Sequence, residues 1–152
     1  MRCYRIVKPA YVSTALSGEG ARLYGGRWNP PGHRCVYAAG TRALAVLEMM
    51  VHLTPASRGI EFRLLELDLP DELVAPPLFP YSGWNDQPAG PVSQNAGLEW
   101  LKAARHVALP VPSVVIPEER NILLNPAAPG FERVKILTES RFQLDLRLYP
   151  LS

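Results

Sequence analysis

Lysine is scarce in this chain: of 16 basic residues in 152, only Lys8, Lys102 and Lys135 are lysines. The basic residues are scattered and the net charge is only +2, so no basic run with interleaved aromatics marks a nucleic-acid groove. Direct nucleic-acid binding is therefore not expected. Cysteine is scarcer still. Cys3 and Cys35 are too few and too far apart for a disulfide framework or a metal cluster, and they read as free thiols of a reducing compartment. The three histidines, His33, His52 and His106, show no His-x-x-x-His spacing, so no metal site is expected. No stretch approaches the roughly 18 apolar residues of a membrane span. Residues 1–8 interleave charged and apolar side chains and hold no apolar core of a signal peptide, so the expected location is the cytoplasm. Gly-Lys-Ser/Thr, Gly-x-Gly-x-x-Gly and Gly-x-Ser-x-Gly are all missing, which excludes a phosphate-binding P-loop, a dinucleotide fingerprint and a serine-hydrolase elbow.

What is present is a globular composition, 47% apolar and 20% charged, long enough for one domain over residues 1–152. Proline, at 16 residues, is about twice its usual share, which predicts short strands and long loops. Residues 2–8 alternate and predict a strand. Residues 13–34 are Gly-rich and predict a long loop that holds Tyr24, Arg27 and Trp28. Residues 35–39 predict a short buried strand ended by Gly40. Thr41 then caps a helix over 42–53, apolar on most sides and so expected to be largely buried. Residues 60–69 read as a strand with a bulge where the alternation slips at Leu64-Leu65. A Pro-rich loop follows over 70–92, with Phe79, Tyr81 and Trp84. Ser93 is placed as the cap of a second helix over 94–105. Residues 106–116 give one strand or two, broken by Pro110 and Pro112, and 122–126 are a short apolar run ending in a turn. Residues 134–137 and 142–148 read as two strands joined by a hairpin turn over 138–141. The sum is an α+β fold with a mixed or antiparallel sheet of six or seven short strands and two or three helices.

Five residues stand out chemically. Glu48 sits mid-helix among apolar neighbours, where a buried carboxylate needs partners or a function; a solvent-facing or structurally paired side chain is the simpler alternative. His52 lies four residues on, on the same helix face. Arg27, in the Gly-rich loop, suits a phosphate or pyrophosphate, or else simply stacks on Trp28. Tyr37 is a core filler or an aromatic platform. Ser113 is a strand-start residue or a working hydroxyl.

The run Gly20-Ala21-Arg22-Leu23-Tyr24-Gly25-Gly26-Arg27-Trp28-Asn29 resembles the opening motif of the RES-domain family. So do Val36-Tyr37-Ala38-Ala39, Ala43 to Glu48, Pro112 to Asn121 with Leu124-Asn125-Pro126, and the tail Phe142 to Leu148, in order over almost the whole chain. In that tail a leucine, Leu146, stands where the family pattern has proline. The family is named for arginine, glutamate and serine, which here would be Arg27, Glu48 and Ser113. The resemblance implies an ADP-ribosyltransferase-like fold, NAD as substrate, and a toxin paired with an Xre-like helix-turn-helix antitoxin that carries any DNA contact.

For the site it implies Arg27 on the pyrophosphate, Glu48 on the ribose, Tyr37 packed on nicotinamide, Ser113 orienting the nicotinamide amide or ribose, and Asn125 among the NAD-binding residues. The reaction read first is cleavage of the nicotinamide–ribose bond with loss of NAD, by water or phosphate. The alternative is mono-ADP-ribosyl transfer to a protein or nucleotide. An RNA-targeting toxin and an inactive antitoxin-binding domain are the remaining alternatives.

Overall fold

The computed structural model describes residues 1–79 and 82–149. Tyr81, counted among the loop aromatics, lies outside them. Six strands form one sheet: β1 (Arg2–Val7), β2 (Val36–Ala39), β3 (Phe62–Asp68), β4 (Ala108–Pro112), β5 (Arg120–Leu124) and β6 (Lys135–Phe142). Their spatial order is β4-β5-β2-β1-β3-β6, and every neighbouring pair is antiparallel. Among the described residues three α-helices accompany them: α1 (Glu19–Tyr24), α2 (Arg42–Met50) and α3 (Pro91–Ala103). The α+β expectation stands, with the sheet antiparallel.

Strand alternation divides the core. Cys3, Val7, Val36, Ala38, Leu65, Ile122 and Leu124 fall in one apolar cluster, packed under irregular segments that contribute Val12, Leu16 and Phe131. Leu109, Val111 and Leu123 belong to a second cluster with Trp28 and Leu101 of α3. Leu44 and Ala45 of α2 pack on Ala39, Tyr4 and Ile6. Gly97 lets α3 come this close to the Gly-rich loop, because a Cβ there would stand 1.8 Å from the Trp28 carbonyl oxygen. Only a residue without a side chain fits.

The sheet is not continuous at its centre. β1 runs its whole length against β3, from Arg2↔Asp68 to Val7↔Arg63, but meets β2 at Tyr4↔Ala39 alone. Both strands contribute residues to a large cleft, Tyr4, Arg5 and Ile6 from β1 and Tyr37, Ala38 and Ala39 from β2. The divergence of the two strands opens it.

Several local expectations are corrected. The 13–34 stretch is not all loop: α1 forms between Gly18 and Gly25, whose φ of 68° and 71° set its two ends, and Arg22 pairs with Glu19 across it. α2 stops at Met50, and only Leu44 and Ala45 are buried in it; Leu47 and Val51 are exposed, because its other side fronts the cleft and solvent. Ser93 does not cap α3. Gly90 does, Pro91 takes the first helical position, and Ser93 is buried inside the helix with its hydroxyl on the Gly90 carbonyl. The expected bulge falls between Glu66 and Leu67, where the β6 partners jump from Thr138 to Ile136 and skip Leu137. Leu64-Leu65 needs no bulge, since β3 lies inside the sheet between β1 and β6.

The hairpin over 138–141 does not exist. Lys135–Phe142 is one edge strand, and 146–148 is a 3-10 turn. Thr138, Glu139, Ser140 and Arg141 are polar because an exposed edge strand is polar, and Glu139 and Arg141 pair with Arg63 and Glu61. Pro110 and Pro112 sit in β4, the opposite edge, where missing N–H groups break no ladder. Their strand still accepts bonds, from Ala75 N–H to the Ala108 carbonyl and from Leu78 N–H to the Pro110 carbonyl.

Candidate active site

The cleft has a volume of about 950 Å³, at the upper end of the roughly 300–1,000 Å³ common for small-molecule sites. It collects Arg27, Tyr37 and Glu48 on its wall, together with Arg5, Asn121 and His52.

Glu48 reaches it from α2. The Thr41 hydroxyl caps that helix by accepting from Leu44 N–H at 3.1 Å, and donates to the Glu119 carboxylate at 2.9 Å. This ties the start of α2 to the segment leading into β5. The Glu48 carboxylate takes two donors on a single oxygen: Ser113 Oγ at 2.7 Å and Asn121 Nδ2 at 2.5 Å, both on Oε1. Among the described residues Oε2 has no hydrogen-bond partner and is not sealed from solvent. His52 lies in the turn beyond the end of α2, is exposed and makes no hydrogen bond to Glu48.

Ser113 is fully buried, with no exposed surface, and is not part of the cleft wall. Its hydroxyl donates to Glu48 and accepts from Val115 N–H at 3.0 Å and Ile116 N–H at 3.1 Å. One donor and two lone pairs are the full capacity of a hydroxyl. The Ser113 hydroxyl is therefore fully engaged by Glu48 and the two amides, with nothing left to orient a ligand's amide or ribose.

Arg27 is held by a loop that sequence distance hides. Its Nη1 donates to the carbonyls of Trp84 and Asp86, both at 3.0 Å, while Nε and Nη2 have no partner among the described residues. Trp84 stacks on Trp28, centroids 5.9 Å apart and planes 20° from parallel. The Trp28 ring is thus spent on Trp84, and the Pro-rich loop becomes a wall of the cleft through Gln87 to Ala89.

Tyr37 fixes the other side of the Gly-rich loop. Its hydroxyl donates to Asn29 Oδ1 at 2.7 Å and accepts from Trp28 N–H at 3.0 Å. Burial pushes its pKa up. Gly26 makes the contact possible, since a Cβ there would lie 2.6 Å from the Tyr37 hydroxyl oxygen. Gln94 of α3 holds the same loop by donating to the Gly26 carbonyl at 3.1 Å.

Arg5 was not singled out by sequence reasoning. Its Nη1 donates to the Tyr37 carbonyl across the gap between β1 and β2, and its Nε is sealed from solvent without a partner. Burial pulls its pKa down, and among the described residues no carboxylate pairs with it. An arginine nevertheless stays charged. An uncompensated guanidinium beside a cleft is a position for an anionic ligand. With Lys8 and Arg27 the cleft holds three basic side chains against one carboxylate, Glu48. The alternation of β1 carries one cue: Arg5 falls in step with the buried Cys3 and Val7, while Arg2 at the start of the strand is exposed.

Asn125 is elsewhere. It borders a smaller, separate pocket of about 290 Å³ with Arg22 and Lys102. Its amide donates to the Leu101 carbonyl at 2.9 Å and its Oδ1 accepts from Ala127 N–H at 3.0 Å. The side chain ties β5 to α3 and does not join the other candidates. Among the described residues no three His, Cys, Asp or Glu side chains converge as metal ligands, and no helix is long and apolar enough to cross a membrane.

The RES domain family model matches residues 2–145. A protein of Sphingobium sp. (strain YBL2) named "Prs ADP-ribosylating toxin" is 42% identical over 144 residues, covering 91% of this chain and 89% of its own. A "Toxin Res" of Yersinia enterocolitica is 38% identical over 135 residues, covering 87% and 88%. Among solved structures, a chain of the M. tuberculosis MbcT–MbcA toxin–antitoxin complex superposes with a TM-score of 0.70 at 23% identity, over 93% of this chain and 83% of that one. The likeness to that structure is one of fold.

Proposed function

The chain belongs to the RES domain family, and from that premise we propose that it is the toxin of a toxin–antitoxin pair, an enzyme that breaks the bond between nicotinamide and ribose in NAD. One observation carries the reading. A single carboxylate, anchored through one oxygen and open at the other, shares a cleft with two arginines that have unspent donors. A dinucleotide presents both matching features, a pyrophosphate for the arginines and a ribose for the carboxylate.

The chemistry follows. As the glycosidic bond breaks, its electron pair leaves with nicotinamide, whose ring nitrogen becomes neutral, and positive charge builds at the ribose carbon and ring oxygen. Glu48 Oε2 is the group to stabilise that charge or hold the ribose hydroxyls. Nicotinamide needs no proton to leave, so the exposed His52 has no required role. Arg5 and Arg27 hold the pyrophosphate, Tyr37 offers its ring while its hydroxyl secures the loop, and Ser113 keeps Glu48 in place.

Water or phosphate at the ribose carbon completes the reaction read first, which consumes NAD and arrests growth. A protein acceptor is the second reading, and the name of the Sphingobium relative favours it. The proposed setting is the cytoplasm. The proposed partner is an Xre-like helix-turn-helix antitoxin that covers the cleft; the exposed apolar Leu47 and Val51 beside it provide a contact surface.

The test is a proton NMR time course of antitoxin-free protein with NAD, alongside Glu48→Gln and Arg27→Ala. Nicotinamide release that both variants lose is the expected result. Variants that keep near-normal NAD loss would refute the assignment. Varying phosphate separates hydrolysis from phosphorolysis. Release that appears only with cell lysate, together with a labelled protein, selects transfer.

A further inference from the structure

Resting on that reading of Glu48, we infer that Asn121 is a positioning residue that decides which oxygen of the Glu48 carboxylate faces the ligand. A glutamate on a helix has three side-chain torsions, and the α2 backbone alone leaves its carboxylate free to rotate. Asn121 sits on β5 with neighbours on both sides, paired to Ala39 of β2 and Val111 of β4, so its backbone is held by the sheet. It also lines the cleft beside Glu48.

Chemistry fixes how its amide lies. An ionised carboxylate only accepts, so the group 2.5 Å from Oε1 is the NH2 and the amide oxygen points away. Ser113 donates to the same Oε1, and its own hydroxyl is oriented by Val115 and Ile116 N–H. Two donors converging from two chain segments leave Oε2 as the oxygen with unspent lone pairs. Asn121 acts on the reaction through Glu48.

The experiment compares wild type, Asn121→Ala and the isosteric Asn121→Asp in the nicotinamide-release assay, with crystal structures of each. Loss of a donor to a charged group predicts a kcat about 10- to 100-fold lower for Asn121→Ala, with KM for NAD within about threefold. Asn121→Asp keeps the shape but cannot donate and adds a like charge, so it is expected to be the slower of the two. A packing role gives the reverse order, because aspartate preserves the volume that alanine loses. The structures are expected to show the Glu48 carboxylate displaced by more than about 0.5 Å, the tolerance of a working site.

A kcat within about threefold of wild type in Asn121→Ala, an aspartate variant faster than the alanine variant, or an unmoved Glu48 overturns the inference. If Asn121→Ala does not fold, Asn121→Leu supplies a side chain of similar size without a donor. Wild type that releases no nicotinamide either from NAD alone or with cell lysate refutes the NAD reading instead, and the position of Glu48 in the variant structures then decides the Asn121 inference alone.

Discussion

Replacing Tyr37 by phenylalanine removes one oxygen and leaves the ring. That oxygen accepts from Trp28 N–H and donates to Asn29 Oδ1. Trp28 is 2% and Asn29 0% exposed, so no bulk water reaches either group once the hydroxyl is gone. An orphaned buried polar group costs about 1–3 kcal/mol, and the amide N–H, with a single donor, lies toward the upper end. The Asn29 oxygen lies toward the lower end because it can relax. The two together give a loss of about 2–4 kcal/mol, set against a total stability of roughly 5–15 kcal/mol for a domain.

In urea, followed by tryptophan fluorescence, the midpoint is expected to fall by about 1–2 M with an unchanged slope, and the melting temperature by roughly 5–15 °C. The same change frees the loop that holds Arg27, and a displacement near 1 Å is worth about 100-fold in turnover. A stability change below about 0.5 kcal/mol would refute the reasoning: the Trp28 N–H would then have another partner, and Tyr37 would be an aromatic platform only.

Two further outcomes are expected. Asn125→Ala loses its bonds to Leu101 and Ala127 and should destabilise by about 1–3 kcal/mol. It should leave KM for NAD within about twofold, and a larger rise in KM at unchanged stability would return Asn125 to the ligand. Burial pushes the Cys3 and Cys35 thiols up to about 12, whereas both titrate near about 8.5 in the unfolded chain. The native state keeps protons that the unfolded state releases. The stability from the raised thiols is therefore whole below about pH 8.5 and is lost toward pH 12, at up to about 1.4 kcal/mol per pH unit for each thiol. Cys3→Ala and Cys35→Ala should each flatten that alkaline slope in urea titrations; an unchanged slope would mean that the thiols are not the titrating groups.

The sequence by itself determined the α+β class, the strands at both ends of the Gly-rich stretch, the Thr41 cap and the family. Each rests on neighbours in the chain: alternation, a hydroxyl three residues before the amide it caps, and motifs read in order. It also singled out Glu48, Arg27, Tyr37 and Ser113 as residue types suited to the chemistry. Elements set by position in the sheet were harder to read. Polar 138–141 looks like a turn until its place on an exposed edge is known, and Leu64-Leu65 looks like a slip until β3 is seen between two neighbours.

Only the tertiary structure decided what each candidate touches. It put Asn121 of β5 and Ser113 after β4 on one oxygen of Glu48, brought Trp84 and Asp86 to Arg27 across more than fifty residues, and tied Arg5 to the Tyr37 carbonyl in the gap between β1 and β2 with its Nε unpartnered among the described residues. It also sent Asn125 to another pocket. Side-chain hydrogen bonds act over about 3 Å in space, whatever the separation along the chain, so the partner of a carboxylate or a guanidinium is fixed only when the strands have found their order.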